Sequence, residues 1–218
     1  MEKQWEREKR DYRFDIRPIV KSGDYLIFSP VVMYELEMIW RFGSTQFFPP
    51  YEFGLTKYLK CLAKWKSDCE KQMEKDLEEL FKLKGYIVRR SFELKDVDKG
   101  YGHPVELGDY DVIAVDENNK VLWNIESKFL GKVGSIKEYY FHQNSFFNVD
   151  KKDEKFERRI EYLEKNTDRI LTVLGIKDRS GYSINNYMVT NKVYESDLKE
   201  ISFNIVTYYE LSSMLAHR

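Results

Sequence analysis

Apolar and polar positions along the chain fall into segments with distinct periods. Residues 112–115 (Val-Ile-Ala-Val) form a nearly continuous apolar run, as expected of a strand covered on both faces. Residues 121–125 are β-branched, aromatic and apolar, and predict a second strand. Between them Asp116-Glu117-Asn118-Asn119-Lys120 is polar and turn-prone, so residues 108–128 read as a hairpin. Upstream, residues 70–85 carry Met73, Leu77, Leu80, Phe81 and Leu83 at helical spacing, with Gly85 as the C-terminal stop. Residues 86–92 then predict a strand.

Downstream, residues 135–147 predict a helix opened by a capping box of Ser135 and Glu138. Residues 151–167 predict a highly charged helix whose apolar positions are Phe156, Ile160 and Leu163. Residues 184–191 and 203–208 read as strands and 209–216 as a closing helix. Before residue 68 the pattern changes. Two short strands flank a Ser22-Gly23 turn, Pro30 opens a helix to about residue 41, and residues 53–66 read as helical. We divide the chain into an N-terminal α+β extension, residues 1–67, and a second domain, residues 68–218. The extension is rich in aromatics (Tyr34, Trp40, Phe47, Phe48, Tyr58 and Trp65 among them). We read these as a packing layer in preference to a surface that stacks on bases.

The 218 residues suffice for one sizeable α/β domain with an appended region. A 42% hydrophobic and 33% charged composition suits a globular protein, and no run approaches the roughly 18 apolar residues of a membrane span. Cys61 and Cys69, the only cysteines, show no metal-binding spacing and read as reduced thiols of a cytoplasmic protein. The net charge of −1 argues against an extended DNA-wrapping surface, which would be basic. Local basic groups remain: Arg89-Arg90, Lys132 and Lys137, and the set from Lys151 to Arg159. In the last set acids are interleaved, so a solvated face is the better reading.

The candidate chemistry lies in the hairpin. Side chains alternate along a strand, so Glu126 and Lys128 share a face, and antiparallel pairing brings Asp111 beside them. Asp109 has the parity of Asp111. Two carboxylates suit a hard divalent cation such as Mg²⁺, and an amine beside them can orient or deprotonate a water, or stabilise charge on a phosphate. The alternative is an ordinary Glu-x-Lys ion pair on an exposed strand. Leu122, Trp123, Ile125, Phe129 and Leu130 argue against it, because charge in so apolar a setting is costly unless paired or metal-bound.

Gly108-Asp-Tyr-Asp111 followed by Ile125-Glu-Ser-Lys128 resembles the signature of the PD-(D/E)xK nuclease superfamily, with Tyr110 where proline is common. The resemblance extends over residues 68–216 and implies a restriction endonuclease-like core of order α-β-β-β-α-β, a mixed sheet flanked by helices. It implies Asp111 and Glu126 as metal ligands and Lys128 as the catalytic lysine. Resolvase-like members place a glutamate on the helix before the first strand, and Glu74 occupies that place, with Glu78 one turn on. By residue type alone, both read equally well as solvated helix surface. The helix after the Glu-x-Lys strand often supplies a glutamine, which points to Gln143, with His142 a weaker candidate. The expectation is therefore an endonuclease using Mg²⁺ (Mn²⁺ substituting) on DNA, in restriction, defence or repair. A resolvase-like enzyme would require a homodimer. The alternatives are a nuclease-derived binding or protein-interaction module without cleavage, and an interaction domain whose carboxylates are coincidental. The chain also reads as either the C-terminal part of a longer protein or a nuclease module fused to a small N-terminal element.

Overall fold

The computed structural model describes residues 19–45, 56–97, 107–130, 139–140, 143–193 and 200–216. Their contacts divide the chain into two compact units, Met1–Ser67 and Asp68–Arg218. In the first, strands β1 (Val20–Ser22) and β2 (Tyr25–Ile27) pair antiparallel, and helix α1 follows over Pro30–Thr45. Tyr34 and Trp65 are largely exposed. Phe47 and Phe48 lie outside the described residues, as does the side chain of Trp40.

Helix α2 runs unbroken from Thr56 to Leu83, where the pattern had suggested two helices. No glycine or proline interrupts residues 66–71, so nothing stops the first helix. The helix ends where expected. Gly85 takes φ +79°, its N–H bonds the Lys82 carbonyl at 2.9 Å, and the Tyr86 N–H returns to Phe81 at 3.2 Å. Leu83, assigned to the apolar stripe, instead stands exposed.

The second unit holds a five-stranded mixed sheet in the order β3-β4-β5-β6-β7. These strands span Ile87–Phe92, Tyr110–Asp116, Val121–Lys128, Ser183–Thr190 and Asn204–Thr207. β3, β4 and β5 form an antiparallel meander, whereas β6 joins β5 in parallel and β7 joins β6 in parallel. Between β5 and β6 come a π-helical turn at Ser145–Val149, helix α3 (Lys152–Lys165) and helix α4 (Thr167–Val173). The charged segment thus splits at Asn166, whose side-chain amide bonds the Tyr162 carbonyl at 2.8 Å. Helix α5, Tyr208–Ala216, closes the described chain.

Helices cover both faces of this sheet. On one, Met73, Leu77 and Phe81 of α2 and Leu211 and Leu215 of α5 pack on Val112, Ala114, Trp123, Ile125 and Val189. On the other, Leu163, Ile170 and Leu171 of α3 and α4 pack on Ile113, Val115 and Leu122. A satellite cluster joins Phe146 and Phe147 to Phe156, Ile160, Met188 and Phe203. β4 and β5 are therefore buried strands, as their continuous apolar runs require. No described helix is long and apolar enough to cross a membrane. Cys61 and Cys69 are free thiols, the first exposed.

Candidate active site

Turn chemistry sets the hairpin register. Asp116 accepts from the backbone N–H groups of Asn118 and Asn119 at 3.1 and 3.0 Å, and from the Asn119 amide at 2.8 Å. The ladder pairs Asp116 with Val121 and runs on to Val112 with Ile125, one step short of Asp111 beside Glu126. A one-residue slip would turn every one of these side chains to the opposite face. Gly108, with φ +69°, turns the chain into β4.

Asp111 reaches across the hairpin, where its Oδ2 accepts from the Ser127 N–H at 2.7 Å. Glu126 is buried, and both its oxygens are engaged. Lys128 Nζ lies 2.5 Å from Oε1, and the Arg159 guanidinium lies 2.6 Å from Oε2. Arg159 also donates to the Asp109 carbonyl at 2.5 Å, and the Tyr110 hydroxyl donates to the Arg159 carbonyl at 3.0 Å. α3 is thereby stitched to the entry of β4 and to the end of β5. Beyond Lys128 the chain is tied down by a reciprocal pair: the Leu130 N–H donates to Asn191 Oδ1 at 2.7 Å, and the Asn191 amide donates to the Leu130 carbonyl at 3.2 Å.

Electrostatics follow from this crowding. Burial pushes the Asp111 carboxyl up to about 7, and the Glu126 charge adds to the rise against the opposing pull of Lys128 and the Ser127 N–H. Glu74 is half-buried and raised for the same first reason; Asp109 and Glu126 push it further up, while Arg90 and Lys128 pull it down. Burial alone would lower Lys128, but Glu126 and Asp111 outweigh it and hold the amine above its usual value. Lys128 is thus an ammonium at neutral pH.

The raised Asp111 has a consequence for the metal-free chain. Its carboxyl binds a proton more tightly folded than unfolded, so stability is fully present below pH 4 and declines as pH rises toward 7. Asp111→Asn should remove this decline and stabilise the chain at pH 8 by a few kcal/mol, at about 1.4 kcal/mol per pH unit of displacement. Thermal melts in EDTA at pH 5 and pH 8 check it; an unchanged difference between the two would rule out Asp111 as its source.

Asp111, Glu126 and Lys128 thus come together, and Glu74 lies within electrostatic range of them. Glu78 does not join them. Lys82 holds it at 2.6 Å and Arg90 at 3.1 Å, and the hydrogen bond from Lys82 lowers its carboxyl. Gln143 is buried just ahead of the π-helical turn, and its assignment rests on the resemblance alone. His142, Lys132 and Lys137 lie outside the described residues.

Arg159 overturns its assignment to a solvated face. It is buried, and its place on α3 explains why: it falls three residues after Phe156 and four before Leu163, within the apolar stripe. That spacing was the available signal, masked by the Lys- and Glu-rich neighbours.

Mg²⁺ takes oxygen ligands, commonly one or two carboxylates completed by waters and substrate phosphates. Asp111 and Glu126 offer oxygens of the kind this ion takes, and Glu74 lies within electrostatic range of Glu126. Each carboxylate oxygen has two acceptor directions, so Glu126 can keep its cations and still offer a lone pair. Among the described residues no group of three or more His, Cys, Asp or Glu side chains forms a metal cage. Searched against family models, curated proteins and solved structures, the chain matches none.

Proposed function

We propose that this chain is a divalent-metal-dependent nuclease of restriction endonuclease-like type that hydrolyses phosphodiester bonds in DNA. The observation that carries the reading is the convergence of Asp111, Glu126 and Lys128 at one end of an otherwise apolar hairpin. The element order supports it: α2, the β3-β4-β5 meander and a helical crossover to a parallel β6 follow the expected α-β-β-β-α-β sequence. β5, which carries the Glu-x-Lys segment, is the central strand.

In this mechanism Asp111 and Glu126 would hold the metal, with Glu74 as a supporting carboxylate. Such an ion, when bound, would supply Lewis acidity and a water of lowered pKa. Lys128, charged at neutral pH, orients the attacking water and offsets the negative charge that grows on the phosphate. Gln143 contacts water or phosphate. Restriction, defence and repair are the settings this chemistry suits.

One observation favours a second reading. Lys128 and Arg159 already neutralise Glu126, as in a closed structural ion network. A nuclease-derived binding module that has lost cleavage would keep such a network.

The deciding experiment incubates the protein with supercoiled, linear and single-stranded DNA, and with RNA, in Mg²⁺, Mn²⁺ or EDTA. Metal-dependent cutting of DNA by the wild type, absent from Glu126→Ala, is the expected result. A folded protein that cuts nothing with either metal would transfer the reading to the binding module.

A further inference from the structure

Glu126 is the most heavily engaged carboxylate of the cluster, and its two cations are not equivalent. Lys128 is a quarter exposed and sits on a flexible stem, free to swing toward a water or phosphate. Arg159 is 8% exposed at its side chain; its guanidinium is held at one further point, through Nη1 to the Asp109 carbonyl, and its backbone carbonyl accepts from the Tyr110 hydroxyl. The guanidinium is therefore anchored beside Glu126 by a part-buried hydrogen bond as well as by the ion pair. Its charge therefore remains beside the site whatever binds there.

We propose that Arg159 is a built-in counter-charge that stands in for the metal at Glu126 in the free protein and keeps the site's divalent affinity low. This inference rests on the metal site of the proposed nuclease. With Arg159 and Lys128 in place, Asp111 and Glu126 are already balanced by two cations. A divalent ion entering such a site meets a fixed positive charge a few ångströms away, and that repulsion is strong where water is scarce. The free protein thus folds without metal, and the ion loads firmly only when substrate phosphates add their oxygens. Loading is coupled to nucleic acid by charge balance.

Arg159 acts through Glu126, as a positioning residue. A structural arginine and a counter-charge predict opposite results. Removing a merely structural or ligand-orienting arginine weakens metal binding. Removing a counter-charge leaves Glu126 buried with one cation fewer, which destabilises the metal-free chain and strengthens its hold on a divalent ion.

The test titrates Mn²⁺ calorimetrically into metal-free wild type, Arg159→Gln and Arg159→Lys, beside melts with and without the ion. Arg159→Gln should bind Mn²⁺ about ten-fold more tightly and gain more Tm from it than wild type, by the same linkage. Arg159→Lys, which keeps the charge, should bind as wild type does. If Arg159→Gln is unfolded in EDTA, millimolar Mn²⁺ should refold it; a chain that stays unfolded in the ion overturns the proposal. Equal or weaker Mn²⁺ binding by a folded Arg159→Gln overturns it too, leaving the nuclease reading intact. Absence of Mn²⁺ binding from all three chains overturns the counter-charge proposal, and metal-dependent DNA cutting by the wild type then decides the nuclease reading on its own.

Discussion

Lys128→Met is expected to slow metal-dependent DNA cleavage by about 10²- to 10⁴-fold while leaving Mn²⁺ binding in place. Methionine preserves the length of the stem and removes only the charge. Both carboxylates survive, so an ion held as proposed would keep its ligands. Two roles were open for this lysine, base or electrostatic partner. Glu126 and Asp111 hold its amine above the usual value, so at neutral pH it has no free lone pair with which to accept a proton. The loss should accordingly fall on the chemical step, and single-turnover cleavage at saturating metal measures it. A Lys128→Met chain that cuts at the wild-type rate would remove Lys128 from the chemistry.

The second large effect concerns the support beneath the site. Trp123→Ala should destabilise the chain by about 3–5 kcal/mol. Its indole is fully buried, stacked on Tyr187 with centroids 5.6 Å apart and tilted against Phe81 at 5.6 Å. It thereby couples α2 to the central strand two residues before Ile125. For a domain of this size the loss corresponds to roughly 6–20 °C in Tm. Urea melts of Trp123→Ala and Trp123→Phe should rank the two, with phenylalanine retaining most of the packing. A loss below about 1 kcal/mol would mean that the cavity collapses at little cost.

Much of this architecture was legible because its signals are local. Continuous apolar runs marked β4 and β5 as buried strands, and an Asp/Asn-rich turn between them implied the register that sets Asp111 against Glu126. Gly85 marked the end of α2 through its left-handed backbone. What escaped depends on partners distant in sequence. Arg159 and Glu126 are far apart along the chain, and the one local signal, the place of Arg159 between Phe156 and Leu163 on the apolar stripe, is masked by charged neighbours such as the solvated Arg158. Glu74 and Glu78 looked alike, one helical turn apart. Two partners separate them in the fold: Lys82, one turn on along the helix, and Arg90 of β3 together hold Glu78, while Glu74 stays in range of the site. The break at Asn166 turns on a side-chain bond to the preceding turn, which competes with helix continuation without any glycine or proline to announce it.

The change of strand direction at β5 has a kinetic meaning. The β4-β5 hairpin is local and can close within microseconds of collapse, whereas the parallel β5-β6 ladder waits for the long excursion of residues 129–182 to come round. Arg159 travels on that excursion. During refolding the carboxylates of the hairpin therefore meet before their arginine arrives, and for that interval they repel one another. Docking of α3 is then the event that turns a like-charge liability into a settled arrangement, so the end of the hairpin that carries Asp111 and Glu126 consolidates later than its turn.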